Sequence, residues 1–428
     1  MDIIGFICVF LVFLALGLPV AFSMLTTSAI YFLLSENDLM GMLPDRVFGG
    51  LDMFILVAIP FFLMAGELMN RAGMSDRMIT FANMLVGRMR GGLAQVNVLS
   101  SVLFAGITGI ALGEVVALGK IFVPAMEKQG YPRAFAGATI GAASLLGPII
   151  PPSTIAVLYA AIMGVSVGGI FVAAIVPGLL IALSDMIVVY VMARWRKFPT
   201  SDIKVTPKAL ALGFRDASLA IVMPLIIVVG ILGGIFTPTE AAAVAVVYAI
   251  VVGVFVLRSL KPRDLIDTLG QSSIDTARLL IIIAGAAAVG WIFAIENVPA
   301  FVDDLFSPIK GDMLALVLLV NLFFLFMGTW LDPATSIILF APIVGPMAID
   351  AGLHPLQFGI MMIINSNIGY ITPPVGNVLF AVSNICRVNI WAVGRELLPY
   401  ILLNMLIVLL VGLVPELSLW LPRVLGLL

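Results

Sequence analysis

Two proline pairs interrupt apolar segments of this chain and limit the folds it can adopt. The first lies in the run Gly147-Pro-Ile-Ile-Pro-Pro-Ser153, and the second lies in Gly369-Tyr-Ile-Thr-Pro-Pro-Val375. Proline lacks a backbone N–H and clashes with the preceding helical turn, so neither pair can continue a helix, although proline suits the first turn of a new one. Each segment is therefore predicted to be a helix, a short unwound link and a second helix.

The composition of the chain places these broken helices in a membrane. Of its 428 residues 62% are hydrophobic and 11% charged, and many segments approach the roughly 20 apolar residues that span a bilayer. The fold class is therefore predicted to be an all-α polytopic membrane protein.

The charge and the rare residues exclude several functions. A net charge of −2 gives no basic surface for nucleic acid, and two cysteines and one histidine argue against a disulfide framework or a His-rich metal site. The N-terminus lacks the features of a cleaved signal and is expected to be a retained membrane segment.

Unwound backbone inside a bilayer is tolerated only where protein or a watery cavity covers it. Two broken helices at corresponding places therefore favour a binding site at mid-membrane. For either segment alone, a kinked helix in a packed bundle is the alternative, because proline and glycine are common in membrane helices.

Two further apolar segments have Gly-containing centres and are predicted to be re-entrant hairpins. The first is Gly91–Lys128 with its tip at Ala105–Gly113, and the second is Leu314–Asp350 with its tip near Gly328–Pro333. Each hairpin precedes a broken helix, at about residues 134–163 and 355–383.

The two halves of the chain are predicted to be repeats of opposite orientation. A shift of 222 residues places Gly147 on Gly369 and Pro151 on Pro373. When the basic loops are placed in the cytoplasm, the first hairpin opens from the inside and the second from the outside. The predicted divisions are 1–52 (N-terminal membrane segment or segments and surface arm), 53–193 (first repeat), 194–275 (basic linker, two scaffold spans and a surface helix) and 276–428 (second repeat and C-terminal span). Within the first division, Ile3–Leu34 is expected to be one kinked span or two short ones.

The ends of the broken helices indicate the chemistry of the site. Unpaired carbonyls at the end of a first half-helix suit sodium, and free N–H groups with the positive dipole end of a second half-helix suit a carboxylate. For any single hydroxyl here, helix capping or an interhelical hydrogen bond is the alternative role. The predicted sodium-binding residues are Thr108, Gly109, Ser144, Gly147, Gly328, Thr329, Asp332, Asn367, Gly369 and Thr372, and the predicted substrate-binding residues are Ser153, Thr154, Gly376 and Asn377.

Acidic residues in membrane segments are costly and indicate function. Glu114 follows the first hairpin tip and is predicted to be a gating or cation-linked acid, whereas Glu240 is expected to cap a helix start and Glu67 to be structural. Asp185 lies in a span and has no partner that the sequence identifies. The chain contains no phosphate-binding loop and no set of catalytic residues, so it is not expected to be an enzyme, to hydrolyse ATP or to need an organic cofactor.

Several motifs together resemble the large membrane (M) subunit of tripartite ATP-independent periplasmic (TRAP) transporters, the DctM-like family. They include Ile59–Glu67, the hairpin Ala105–Gly113, the first proline run, Gly328–Pro333 and Gly369–Gly376, and the match runs through essentially the whole chain. The resemblance implies a multi-pass protein of the bacterial inner membrane that takes up an organic acid with sodium, at least two ions, by an elevator motion of a transport domain on a scaffold. It also implies two partners, a small four-helix membrane subunit on a separate chain and a periplasmic substrate-binding protein.

The first hairpin tip departs from the family pattern. The family often has Ser-Gly-Ser and then an Asp, where this chain has Thr108-Gly109-Ile110 and Glu114. The loss of a hydroxyl at Ile110 weakens the first sodium site unless backbone carbonyls hold the ion. A stand-alone sodium–dicarboxylate symporter without a binding protein is the nearer alternative function, and a non-transporting membrane assembly or intramembrane enzyme is the further one.

Overall fold

The computed structural model describes residues 2–35, 39–109, 111–198, 206–306 and 311–428, and every regular element within these ranges is a helix. Eight helices there are long and apolar enough to cross a membrane, or nine if the pair around Pro151, bent by 45°, is one span. The chain is therefore an all-α multi-pass membrane protein, as predicted.

The first half of the chain contains eleven helices in its described residues. They are α1 (Ile3–Ala15), α2 (Val20–Leu33), α3 (Met42–Leu51), α4 (Ala58–Arg71), α5 (Met74–Val86), α6 (Gly92–Thr108), α7 (Ala111–Lys128), α8 (Arg133–Ala143), α9 (Leu146–Ile149), α10 (Thr154–Met163) and α11 (Val167–Trp195). Short 3-10 turns at Leu39–Gly41 and Phe54–Val57 precede α3 and α4.

The second half contributes ten helices from its described residues. They are α12 (Pro207–Leu232), α13 (Pro238–Val251), α14 (Pro262–Ile295), α15 (Val298–Phe306), α16 (Met313–Trp330), α17 (Pro333–Asp350), α18 (Pro355–Tyr370), α19 (Asn377–Cys386), α20 (Ile390–Leu413) and α21 (Glu416–Val424). A π-helical turn at Val252–Val256 extends α13. Proline occupies the first position of α12, α13, α14, α17 and α18, where its missing N–H has no helical partner to lose.

The N-terminal helices α1 and α2 form an antiparallel hairpin. The rings of Phe6 in α1 and Tyr31 in α2 are 6.1 Å apart, so the start of one helix lies beside the end of the other. Helices of 13 and 14 residues are each only about 20 Å long, less than the roughly 30 Å of hydrocarbon. The segment Ile3–Leu34 is thus two short helices that return to the same end of α14, where Phe6 also meets Phe293.

Two predicted division boundaries, after residues 193 and 275, fall inside helices. Helix α11 continues through Trp195, and α12 begins at Pro207; residues 199–205 lie outside the described part. The boundary after residue 275 lies within Pro262–Ile295, which is one helix of 34 residues. The charges near its centre do not stop the helix, because Arg278 pairs with Asp275 at 3.0 Å on its exposed side.

The two broken segments cross each other, and glycine allows the close approach. A Cβ atom at Gly137 in α8 would lie 2.7 Å from Val382 of α19, and one at Gly359 in α18 would lie 2.3 Å from the ring of Tyr159 of α10. The Tyr159 hydroxyl also donates to the Pro355 carbonyl at 2.6 Å. The first half of each broken helix therefore packs on the second half of the other, which brings both breaks into one region.

Candidate functional site

The first break interrupts the helix as the proline pair predicts. Helix α8 ends at Ala143, the short α9 follows, and the backbone is extended at Ile150 and again at Ser153. The Ser153 hydroxyl accepts the Ala156 N–H at 3.2 Å and donates to the Pro148 carbonyl at 2.5 Å, so it caps α10. Both proline pairs contain a cis peptide bond.

The tip of the first hairpin contacts the first break. The Thr154 hydroxyl, in the first turn of α10, donates to the Gly109 carbonyl at 3.3 Å. Gly109 ends α6 with φ of 58°, a conformation that favours glycine. Two predicted residues of this half, Ser144 and Gly147, are buried beside the break, with the Ser144 hydroxyl donating to Gly141 at 2.8 Å.

The side chain of Thr108 and all of Ile110 lie outside the described residues. The sequence-based expectation that the isoleucine weakens the first sodium site therefore stays a prediction.

The tip of the second hairpin contacts the second break in the same way. Helix α18 ends at Tyr370, α19 begins at Asn377, and the Gly376 N–H between them donates to the Thr329 carbonyl at 3.1 Å. Gly376 and Thr154 are related by the same shift of 222 residues that relates the proline pairs. Each hairpin tip is thus held by a hydrogen bond from an equivalent position of its own broken helix.

The backbone of the second hairpin tip also lies in close contact with the backbone near the end of α18. A Cβ atom at Gly369 would lie 2.6 Å from the Cα and carbonyl carbon of Gly328, and one at Gly328 would lie 2.5 Å from the Ser366 carbonyl oxygen. Glycine at both positions is therefore required by the close contact of the two chain segments. This contact places three predicted residues together, because Asn367 adjoins Ser366 in the same helix.

Buried oxygen atoms without a hydrogen-bond partner lie beside this contact. Within the described residues the Asn367 Oδ1 and the Ser366 hydroxyl are buried and unpartnered, while the Asn367 amide nitrogen donates to the Ile363 carbonyl at 2.8 Å. Uncharged oxygens together with carbonyls at a helix break are the ligands that sodium finds in discontinuous membrane helices. The residues present at this contact thus fit a sodium ion.

The remaining predicted residues of the second repeat have local roles. Asp332 caps α17 by accepting the Thr335 N–H at 3.0 Å, and it also accepts the Thr335 hydroxyl. The Thr372 and Thr329 hydroxyls donate to carbonyls of their own turns, at 2.6 and 2.8 Å. Asn377 is exposed at the start of α19, where its N–H lies at the positive end of the half-helix.

The acidic residues separate into buried and capping groups. Glu114 is 1% exposed in the first turn of α7, and Ser101 of α6 is the polar side chain beside its carboxylate. Glu240 accepts the Thr237 N–H at 2.7 Å in a capping box, the role expected of it. Glu67 pairs with Arg71 at 2.7 Å on the partly exposed side of α4. Asp185 has a partner that the sequence did not identify, Asn404 of α20.

Sequence reasoning also missed an amide pair below the second tip. The Asn365 amide donates to the side-chain oxygen of Asn321 in α16 and to the Met361 carbonyl at 3.0 Å, and both asparagines are buried. The sequence contains a signal for it, the run Asn365-Ser-Asn367 within an apolar segment, of which only Asn367 is among the predicted site residues.

The fold and the paired breaks define a multi-pass membrane protein with a polar site enclosed among discontinuous helices. Residues 7–417 match the family described as "Tripartite ATP-independent periplasmic transporter, DctM component". The chain belongs to this family and is the large membrane component of a TRAP transporter, so its family is one of transporters and not of enzymes.

Relatives of known description cover nearly the whole chain. The sialic acid TRAP transporter large permease protein SiaM of Vibrio cholerae is 35% identical over 407 residues, 95% of each chain. The C4-dicarboxylate TRAP transporter large permease protein DctM of Pseudomonas aeruginosa is 37% identical over 400 residues, 94% of this chain and 93% of that protein. The crystal structure of the Alcanivorax borkumensis YdaH transporter has a TM-score of 0.60 and 19% identity over 89% of both chains, a likeness of fold alone.

Proposed function

We propose that this chain is the transport subunit of a sodium-coupled system that takes up an organic acid across the bacterial inner membrane. The observation that carries the proposal is a pair of hydrogen bonds whose donors are at equivalent positions, from the Thr154 hydroxyl to the Gly109 carbonyl and from the Gly376 N–H to the Thr329 carbonyl. Each bond joins a hairpin tip to the start of a second half-helix. At such a break the carbonyls that end the first half-helix can bind a cation, and the N–H groups that begin the second can bind an anion.

The substrate class follows from charge and from the relatives. The backbone N–H groups of Ser153, Thr154 and Asn377 stand at the positive ends of α10 and α19 and favour a carboxylate. The similar permeases of V. cholerae and P. aeruginosa are named for sialic acid and C4-dicarboxylates, both of which carry carboxylates. An organic acid bound between the two breaks is therefore the best fit.

Sodium would couple uptake by ordering the hairpin tips. In the second repeat the ion would be held by Gly328, Thr329 and Asn367, with Asp332, Gly369 and Thr372 beside it, and in the first by Thr108, Gly109, Ser144 and Gly147. With sodium at both tips, the anion site between Ser153, Thr154, Gly376 and Asn377 is complete, so the sodium gradient drives the acid inward. Glu114, buried in the first hairpin, is the cation-linked acid of this scheme.

The transport motion follows from two inverted repeats. Gly137 and Gly359 are also related by the shift of 222 residues, and both face the opposite repeat's second half-helix. This equivalence supports a transport domain built from both hairpins and both broken helices. Sliding of that domain, as an elevator, against a scaffold that includes α12 and α13 would expose the site to each side in turn.

The family is described as tripartite, so two further components are expected, and we propose that they are a small four-helix membrane subunit and a periplasmic substrate-binding protein. A requirement for these two partners distinguishes this function from that of a stand-alone symporter, which the family assignment does not favour.

The test is uptake of a radiolabelled organic acid into proteoliposomes that contain this chain with its small subunit, with the binding protein added outside. Uptake should require both an inward sodium gradient and the binding protein. Equal uptake when potassium replaces sodium would refute the coupling, and uptake without the binding protein would establish the stand-alone alternative.

A further inference from the structure

A carboxylic acid side chain is buried where two long membrane helices cross. Asp185 of α11 is 0% exposed, and its Oδ1 accepts the Asn404 amide of α20 at 3.1 Å. The Asn404 oxygen in turn accepts the Ser184 hydroxyl at 2.7 Å. The proposed sodium and substrate sites use none of these residues.

The acid lies deep within the apolar part of its helix. Arg194, the first basic residue toward the end of α11, is nine positions after Asp185, which corresponds to about 14 Å along the axis. The segment between them is apolar apart from Tyr190. Water and lipid headgroups are therefore remote from the carboxyl group.

No cation reaches Asp185 within the described part of the chain. Its Oδ2 has no hydrogen-bond partner there, and Arg196, just after α11, is already paired with Glu396 of α20 at 2.8 Å. Tyr400, one turn from Asn404, shares its hydroxyl with Thr139 at 3.1 Å.

The other helices packed on α11 supply no counter-ion either. The titratable residues of these helices form no hydrogen bond or ion pair with Asp185 in the described ranges, and α6 and α9 contain no titratable residue. The residues concerned are Arg395 on α20, Glu416 and Arg423 on α21, Lys208, Arg215 and Asp216 on α12, Arg133 on α8, Tyr159 on α10 and Tyr370 on α18.

From this geometry we propose that Asp185 is a proton-binding site, a neutral carboxylic acid that joins α11 to α20. An ionised carboxylate held by one neutral amide in hydrocarbon is far more costly than a protonated one with the same hydrogen bond. The proton resides on Oδ2, and Oδ1 keeps its hydrogen bond from Asn404. The site binds a proton permanently and takes no part in sodium binding, so an amide can replace the acid.

Infrared spectroscopy of the full chain in lipid nanodiscs tests the proton directly. The spectrum of the wild type minus that of Asp185→Asn at neutral pH should contain the carbonyl band of a protonated carboxylic acid. The matched control is Asp350→Asn, which changes an exposed acid at the end of α17 and should remove carboxylate bands only. A difference spectrum for Asp185→Asn with carboxylate bands and no acid band would overturn the proposal.

Uptake measured with the same variants tests whether the uncharged form of Asp185 is sufficient for transport. The infrared result does not depend on whether uptake is coupled to sodium. Asp185→Asn in the complex with its partners should retain uptake within about twofold of the wild type, because the amide preserves charge and shape. Asp185→Leu should lower the melting temperature, because it leaves the Asn404 amide unpaired. Loss of uptake in a folded Asp185→Asn protein would show that the carboxylate is ionised or exchanges its proton and would overturn the assignment.

Discussion

The backbone contact between the second hairpin tip and the end of α18 predicts the effect of Gly369→Ala. The new Cβ would lie 2.6 Å from the Cα and carbonyl carbon of Gly328 and 2.6 Å from the Leu325 carbonyl oxygen. Carbon atoms normally rest about 3.5–4.0 Å apart, so the shortfall is about 1 Å. All three atoms belong to the backbone and cannot rotate away, so the hairpin tip itself must move.

That displacement should appear as weaker sodium binding. Overpacking of this kind typically costs about 1–3 kcal/mol, and a value of about 2 kcal/mol corresponds to a loss of about 30-fold in affinity. The affinity that decreases is that for sodium, because the displaced tip moves Gly328 and Thr329 away from the Asn367 oxygen. The assay is the sodium concentration that gives half-maximal uptake, together with the sodium-dependent rise in melting temperature.

The matched control is Gly290→Ala in α14, where a Cβ atom would have no neighbour within 4 Å. It should leave sodium dependence unchanged and raise stability slightly, because alanine is the better helix former. If Gly369→Ala gave the same sodium half-saturation as Gly290→Ala, the contact would not control the cation site and the reasoning would be wrong.

Three further predictions follow from single hydrogen bonds. Thr154→Val removes the bond to the Gly109 carbonyl and should raise the sodium half-saturation several-fold, whereas Thr154→Ser should not; equal values for the two would contradict the role of this bond. Thr237→Ala breaks the capping box of α13 and should cost about 1 kcal/mol of stability, seen as a lower melting temperature with unchanged sodium half-saturation. Burial lowers the pKa of His354, whose Nδ1 accepts the Leu356 N–H, so the stability that this cap contributes is present above about pH 6.5 and is lost as the pH falls through the lowered pKa. The melting temperature of the wild type should therefore fall over that pH range, and the melting temperature of His354→Asn should not. The same fall in His354→Asn would refute the assignment.

The sequence predicted the breaks because proline acts locally. Pro151 and Pro373 lie at helix interruptions as expected, and the polar hairpin tips at Gly109 and Gly328 reach those interruptions. Such features depend on a few neighbouring residues and can be read without knowledge of the fold.

Features that depend on packing could not be predicted in this way. The continuity of Pro262–Ile295 across a charged stretch depends on which side of the helix is exposed, and the return of α2 beside α1 depends on Phe6, Tyr31 and Phe293 meeting. The pairs Asn321–Asn365 and Asp185–Asn404 join residues far apart in sequence, so a local pattern such as Asn365-Ser-Asn367 can mark one polar residue but cannot identify its partner.

The central claim is that both helix breaks form one binding site, and a density map of the sodium- and substrate-bound complex tests it most directly. The substrate carboxylate should lie between Ser153–Thr154 and Gly376–Asn377, with an ion density beside Asn367. A substrate density remote from both proline pairs would contradict the account.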